Sequence, residues 1–159
     1  KTDSQYNTPN GNLKEYVPED VLIGNIRPYL KKIWYSDSRG GASGDVLVIR
    51  INDKYKSILN SKFLYYALST EEFFNYMNSS AKGAKMPRGD KKEIMKFELK
   101  IPSLQKQKKI VSALDKFSEL THDLIFGLPA EIALRRKQYE YYRDKLLTFE
   151  IEEWGFGKV

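Results

Sequence analysis

Between residues 103 and 149 apolar side chains recur at helical spacing, and the recurrence is broken once, at Gly127-Leu128-Pro129. A glycine suited to a helix C-cap, followed by a proline suited to the first turn of a new helix, predicts two long helices in place of one. The first starts at Ser103, runs to about residue 126, and carries Ile110, Ala113, Phe117, Leu120 and Leu124 as its stripe. At ~1.5 Å per residue it would be ~36 Å long, and the second ~31 Å. In the second helix Ile132, Tyr139 and Leu146 stand seven residues apart, with Tyr142 and Phe149 at intermediate positions. So narrow a seam suits one partner helix better than a broad buried face. It is short and rich in tyrosine, which packs less uniformly than leucine. The chain therefore reads as carrying a spacer or assembly element.

Ahead of these helices the pattern is mixed. Residues 1–18 are rich in Asn, Thr, Pro and Gly and read as loop or tail. Residues 20–26 form a short apolar run that reads as a buried strand, residues 29–35 (YLKKIWY) as a second strand, and 45–51 as the clearest strand of all. The glycine cluster at 38–44 reads as a flexible turn. Asn60 is placed to cap a helix bearing Phe63, Leu64, Ala67 and Leu68, and Thr70 to cap another with Glu71 and Glu72 in its first turn. Asp90 is placed to cap a short helix ending near Met95. Residues 97–101 (FELKI) alternate like a strand that Pro102 closes. The expectation is an α+β unit up to residue 102, then the helices.

The chemistry of catalysis is sparse. Among 159 residues there is no cysteine and one histidine, His122, on the polar side of a predicted helix. That removes thiolate metal sites, disulfides and a Cys/His nucleophile pair. No dinucleotide or phosphate-loop motif is present, and the glycines at 40–44 precede a strand where a phosphate loop needs a helix. Asn25-Ile26-Arg27-Pro28-Tyr29 is not the Asn-Pro-Pro-Tyr box of adenine methyltransferases, because Ile26 and Arg27 occupy the space of one proline. An acid/base pair such as Asp20 and Asp45 has nothing behind it beyond two carboxylates at strand edges. No run approaches the ~18 apolar residues of a membrane span. These absences point to an intracellular, cytoplasmic setting.

Charge is more informative. The formal net charge is +6, yet residues 82–109 hold ten basic residues against three acidic ones, an excess larger than that of the whole chain. The basic character is local, and an anionic partner follows from it. Two segments suit nucleic acid. In residues 27–34, Arg27, Lys31 and Lys32 alternate with Tyr29 and Trp34. Cations there would supply salt-dependent affinity, while arginine and aromatic groups reach base edges or stack. The plainer alternative puts Tyr29 and Trp34 in the core and leaves the lysines solvated. In residues 82–92, Lys82, Lys85, Arg88, Lys91 and Lys92 project from a loop whose glycines allow close backbone approach and whose Pro87 stiffens it.

The succession Gly-x-x-Met-Pro-Arg-Gly-Asp at 83–90, Ile-Pro-Ser-Leu-x-x-Gln-Lys-Lys-Ile-Val at 101–111, and Gly-Leu-Pro-Ala-Glu-Ile with Arg-Arg-Lys-Gln-Tyr-Glu-Tyr-Tyr-Arg-Asp-Lys-Leu-Leu at 127–147 resembles the specificity subunit of type I restriction–modification systems. The resemblance covers roughly residues 20–150. It implies an α+β fold: a globular DNA target recognition domain (1–102), followed by long antiparallel, coiled-coil-like spacer helices (103–159). By the same resemblance Arg27, Lys31, Lys82, Lys85, Arg88 and Lys91 would meet double-stranded DNA, and the cation and aromatic pattern of residues 27–34 adds Tyr29 and Lys32 to them. Phe117, Leu124, Ile132, Tyr139, Tyr142 and Leu146 would form the helix interface, either with another spacer helix or within the chain.

The family's partners are modification (methyltransferase) subunits and restriction subunits. S-adenosylmethionine, ATP and Mg²⁺ are expected only on those partners, with no catalysis, cofactor or metal in this chain. Only one recognition unit is present, and the family's opening strands are not recognised before residue 20. A half-subunit that forms a homodimer, one segment of a longer subunit and a truncated product all remain open. The competing reading, from another class, is a helical assembly adaptor whose basic loop is incidental.

Overall fold

The computed structural model describes residues 13–123 and 129–148; the side chains of 120–132 are outside the described set, as are Leu124 and the candidate cap Gly127. Among the described residues five short strands and five α-helices form a mixed α and β architecture. The strands are β1 (Lys14–Tyr16), β2 (Val21–Gly24), β3 (Ile33–Tyr35), β4 (Gly40–Ala42) and β5 (Val46–Ile49). The helices are α1 (Ser61–Leu68), α2 (Glu71–Ser79), α3 (Lys91–Ile94), α4 (Leu104–Asp123) and α5 (Pro129–Leu147). Among the described residues no helix is long and apolar enough to cross a membrane.

The apolar run at 20–26 becomes the centre of a three-stranded antiparallel sheet ordered β3-β2-β5. Val21 faces Tyr35 on one side and Ile49 on the other, and Ile23 faces Ile33 and Leu47. One face of this sheet meets α1, α2 and α3 through a core of Val21, Ile23, Leu47, Leu64, Leu68, Phe73, Phe74, Met77 and Ile94. The helix starts follow capping chemistry. Asn60 accepts from the Phe63 N–H, Thr70 from the Phe73 N–H and Asp90 from the Lys92 N–H, and each cap satisfies a donor that the helix leaves open.

Three expectations need correction. Residues 29–35 are not one strand: Pro28 opens a 3-10 turn (Pro28–Leu30), Arg27 and Lys31 on either side adopt left-handed backbone, and extended structure begins only at Ile33. The glycines at 38–44 are not merely a turn. Gly40–Ala42 pair with Lys14–Tyr16, so part of the supposed N-terminal tail is also a strand. Glycine is a poor strand former, but a Cβ at Gly40 would collide with the Tyr16 ring, so the missing side chain is what lets this ribbon close. Residues 97–101 form no strand. Phe97 turns its ring onto Phe73 and Tyr76, at centroid distances of 5.1 and 5.2 Å, and with Leu99 it packs against the main core.

Helix α1 is buried on two sides, which its sequence SKFLYYAL makes feasible. Leu64 and Leu68 face the sheet, while Phe63, Tyr66 and Ala67 meet Ile110 and Leu114 of α4. Tyr139, Leu146 and Leu147 of α5 pack against that same second cluster, and Tyr142 stacks on Phe117 at 5.6 Å with rings 10° from parallel. Helix α5 thus returns along α4. Arg143, itself buried, pairs with Asp144 at 2.9 Å beside the Tyr139 ring.

Polar groups pin α4 to the α/β unit. Gln107 is 0% exposed; its Oε1 accepts the Asn60 N–H at 2.8 Å, and its Nε2 donates to the carbonyls of Ile58 (2.8 Å) and Pro102 (2.7 Å). Two turns further along, Asp115 accepts from the Tyr66 hydroxyl at 2.5 Å and from Lys62 Nζ at 2.8 Å. Burial, then the Asp115 bond, drives the Tyr66 hydroxyl far above the ordinary phenol range, and burial pushes Tyr139 up to about 12. Both tyrosines stay protonated at any physiological pH.

Candidate nucleic-acid interface

The two basic segments singled out in the sequence are joined by their backbones. Arg27 N–H donates to the Pro87 carbonyl at 2.7 Å, and Gly89 N–H donates to the Asn25 carbonyl at 3.2 Å. Lys82 and Arg88 exchange both backbone bonds, at 2.8 and 2.9 Å, so residues 83–87 form a closed loop on α2's exit. Ile26 bridges to Arg88 on the other side. Beneath the bridge Gly89 is buried: a Cβ there would lie 2.8 Å from Ile94 Cδ1 and 2.9 Å from Asn25 Oδ1, so only glycine lets the loop sit this close. Asn25 is 4% exposed, and its side-chain Oδ1 has no hydrogen-bond partner among the described residues.

All eight proposed contact residues, Arg27, Tyr29, Lys31, Lys32, Lys82, Lys85, Arg88 and Lys91, are exposed. The alternative that placed Tyr29 and Trp34 in the core does not hold: Tyr29 is 53% and Trp34 41% exposed, the latter edge-on to Tyr16. The 3-10 turn explains the presentation. Pro28 is buried under it, Arg27 and Lys31 flank it at φ 51° and 50°, and Tyr29 and Leu30 are held outward between them. Left-handed backbone at two non-glycine residues so close together costs free energy, a pattern that concentrates at functional segments.

The cations are not equivalent. Arg88 Nε contacts Asp45 Oδ1 at 2.9 Å, Lys82 Nζ contacts Asp90 Oδ2 at 2.6 Å, and Lys31 pairs with Glu71. The Asp45 hydrogen bond raises the Arg88 guanidinium further, and the Lys82 bond holds the Asp90 carboxyl below its usual range. No ion pair joins Arg27, Lys32, Lys85 or Lys91 to a carboxylate among the described residues. The sequence reading missed Asp45, Asp90 and Glu71 as members of this surface. It also missed Gln107, whose spacing of three and seven from Ile110 and Leu114 was the available signal.

The remaining candidates fall elsewhere. Phe117, Tyr139, Tyr142 and Leu146 lie where α4 and α5 meet; Leu124 and the Ile132 side chain are outside the described set, as is the His122 side chain. Asp20 and Asp45, the weak acid/base pair, are each held by a separate arginine, Arg50 and Arg88. No group of three or more His, Cys, Asp or Glu among the described residues could hold a metal ion. Exposed cations and the exposed Tyr29 and Trp34 thus lie close together in the two joined segments.

Comparisons with known proteins agree on one family. The model described as the type I restriction modification DNA specificity domain matches residues 10–134. The type I restriction enzyme MpnII specificity subunit of Mycoplasma pneumoniae is 32% identical over 136 residues, 84% of this chain and 38% of that protein. A putative type I restriction enzyme specificity subunit of Haemophilus influenzae is 38% identical over 130 residues, 82% of this chain and 32% of its own length. The EcoR124I/EcoR124II specificity subunit of Escherichia coli is 38% identical over 88 residues, 55% of this chain and 22% of that one. The chain thus spans well under half the length of these relatives. The crystal structure of the HsdS subunit from Thermoanaerobacter tengcongensis shares the fold, with a TM-score of 0.62 at 22% identity over 87% of this chain and 33% of that one.

Proposed function

The chain belongs to the type I restriction modification DNA specificity domain family, and from that premise we propose that it reads double-stranded DNA through Arg27, Tyr29, Lys31, Lys32, Lys82, Lys85, Arg88 and Lys91. One observation carries this reading: the backbone bonds from Arg27 to Pro87 and from Gly89 to Asn25, which gather cations from two distant stretches onto one exposed edge. Lysines near phosphates set affinity and register; arginines and Tyr29 supply the groups that discriminate base edges or stack.

The part of the chain up to residue 102 is the reading unit, and α4 and α5 are the spacer, a coiled-coil-like element in the assembled system. Tyr139, Tyr142 and Leu146 hold the α4/α5 hairpin together, and the exposed Leu134 and Tyr141 of α5 offer surface to a second spacer, from another copy of the chain or another segment. The chain itself makes and breaks no bonds. It directs modification (methyltransferase) and restriction subunits in the cytoplasm to a split site, and S-adenosylmethionine, ATP and Mg²⁺ belong to those partners.

The test is a host methylome with and without the coding sequence of this chain. Deletion is expected to abolish adenine methylation at one bipartite motif and leave other methylated motifs unchanged. An identical methylome in the two strains contradicts the proposal.

A further inference from the structure

Three cations of the reading edge are already occupied, and their partners come from three separate places in the fold. Asp45 stands just before β5 and holds Arg88, Asp90 caps α3 and holds Lys82, and Glu71 opens α2 and holds Lys31. Asp45 and Glu71 make no other side-chain hydrogen bond among the described residues. The Arg88–Asp45 and Lys31–Glu71 pairs are about half exposed on both sides, at 52%/45% and 43%/51%. Exposed pairs of this kind contribute little to folding, so structural need does not account for these two on one surface, whereas Asp90 also serves as the α3 cap.

Their electrostatic effect on a polyanion is direct. A phosphate that engages Arg88, Lys82 or Lys31 must compete with a carboxylate for the cation, and whether that carboxylate is displaced or stays in place, its negative charge stands beside the DNA backbone. Arg27, Lys32, Lys85 and Lys91 carry no such toll, because no ion pair holds them among the described residues. The surface therefore has two classes of cation. One class attracts any duplex; the other becomes available only through exchange.

We infer that Asp45, Asp90 and Glu71 guard the reading edge, each withholding one cation from duplexes of arbitrary sequence and releasing it only where base contacts offset the exchange. This rests on the DNA-reading role proposed above and assigns its discrimination to carboxylates as well as to cations. The exchange lowers sequence-independent affinity by up to about fivefold per pair, the span measured for exposed ion pairs.

The experiment measures equilibrium binding of a labelled random-sequence duplex across a potassium chloride series, using the full chain. Asp45→Asn and Glu71→Gln keep side-chain size and remove charge, whereas Asp90 also caps α3 and is left unaltered. Each variant is expected to bind the random duplex about two- to fivefold more tightly at low salt and to steepen the salt slope by up to about one unit. The double variant Asp45→Asn/Arg88→Gln is expected to lose that gain, since the cation it freed is gone. Unchanged or weakened binding by both single variants, or a gain that survives loss of Arg88, overturns the inference. Thermal melts check folding; should Asp45→Asn unfold, Glu71→Gln with Lys31→Gln carries the same cycle. A wild-type chain that binds no duplex at any salt overturns the DNA-reading role itself, a result distinct from wild-type binding that the variants leave unaltered.

Discussion

The seam between α1 and α4 and the edge formed by residues 25–32 and 82–91 are both rich in polar side chains, yet they treat them in opposite ways. At the seam Gln107 is buried and engages three backbone groups, while Asp115 engages two side chains of α1. At the edge the backbone does the joining, and the cations either face water or sit in single ion pairs. A buried polar group with several partners is costly to disturb and therefore holds geometry. A solvated cation with one replaceable partner, or none, is cheap to redirect and therefore suits a ligand. The contrast separates residues that position the reading surface from residues that do the reading.

If that division is sound, Gln107→Ala should be among the most damaging substitutions. It removes three hydrogen bonds and takes from the Asn60 N–H and the Ile58 and Pro102 carbonyls the partner that Gln107 gives them, a loss of about 3 kcal/mol. Urea unfolding measures it, and a loss below about 1 kcal/mol would mean water replaces the amide with ease. Gly89→Ala should come next, at roughly 1–3 kcal/mol, because the new Cβ meets Ile94 and Asn25 inside van der Waals contact. This variant sharpens the division: it sits on the edge in sequence but behaves like the seam, so it should also shift loop 83–87 and weaken DNA binding.

A pH-dependent case lies between the two. Asp20 is buried and receives hydrogen bonds from Arg50 Nε (2.8 Å), Arg50 Nη2 (2.6 Å) and the Val17 N–H (2.8 Å). Burial alone would raise its carboxyl, but the Arg50 hydrogen bond, the Val17 N–H and the arginine charge together outweigh it and leave the group below 3.8. A depressed folded value means the unfolded chain takes up the proton more readily. The stabilisation is thus complete at neutral pH and fades as pH falls below 3.8 and through the folded value. Asp20→Asn should be less stable than wild type at neutrality, and the gap should close in acid; melts at successive pH values report it. The smallest structural effect should come from Lys85→Ala, within about 0.5 kcal/mol of wild type.

Much of the scaffold was readable because its signals are local. Asn60, Thr70 and Asp90 each cap the helix that follows them, and Pro129 opens α5, as their positions in the sequence suggested. The errors arose where tertiary contact overrides local preference. The Gly40–Ala42 strand pairs with a segment 24 or more residues away and leaves room for the Tyr16 ring, while Phe97 is placed by rings on α2, contacts that no local pattern announces. The site divides in the same way. Its cations announce themselves as a charge cluster, whereas Asp45 and Glu71 lie 43 and 40 residues from the partners they hold, and no local pattern reveals such pairs. Gln107 was hidden for a different reason, since a glutamine within Gln-Lys-Gln-Lys-Lys looks solvated until its phase with Ile110 and Leu114 is noticed.

The division between positioning and reading residues meets its plainest test in duplex DNA binding by the purified chain at low and at high salt, with sedimentation to follow self-association. Wild type should bind and should weaken steeply as salt rises. Arg27→Ala and Lys85→Ala should each flatten the dependence by about one unit of slope while melting like wild type. A chain that self-associates but ignores DNA, or slopes that stay the same in both variants, would contradict it.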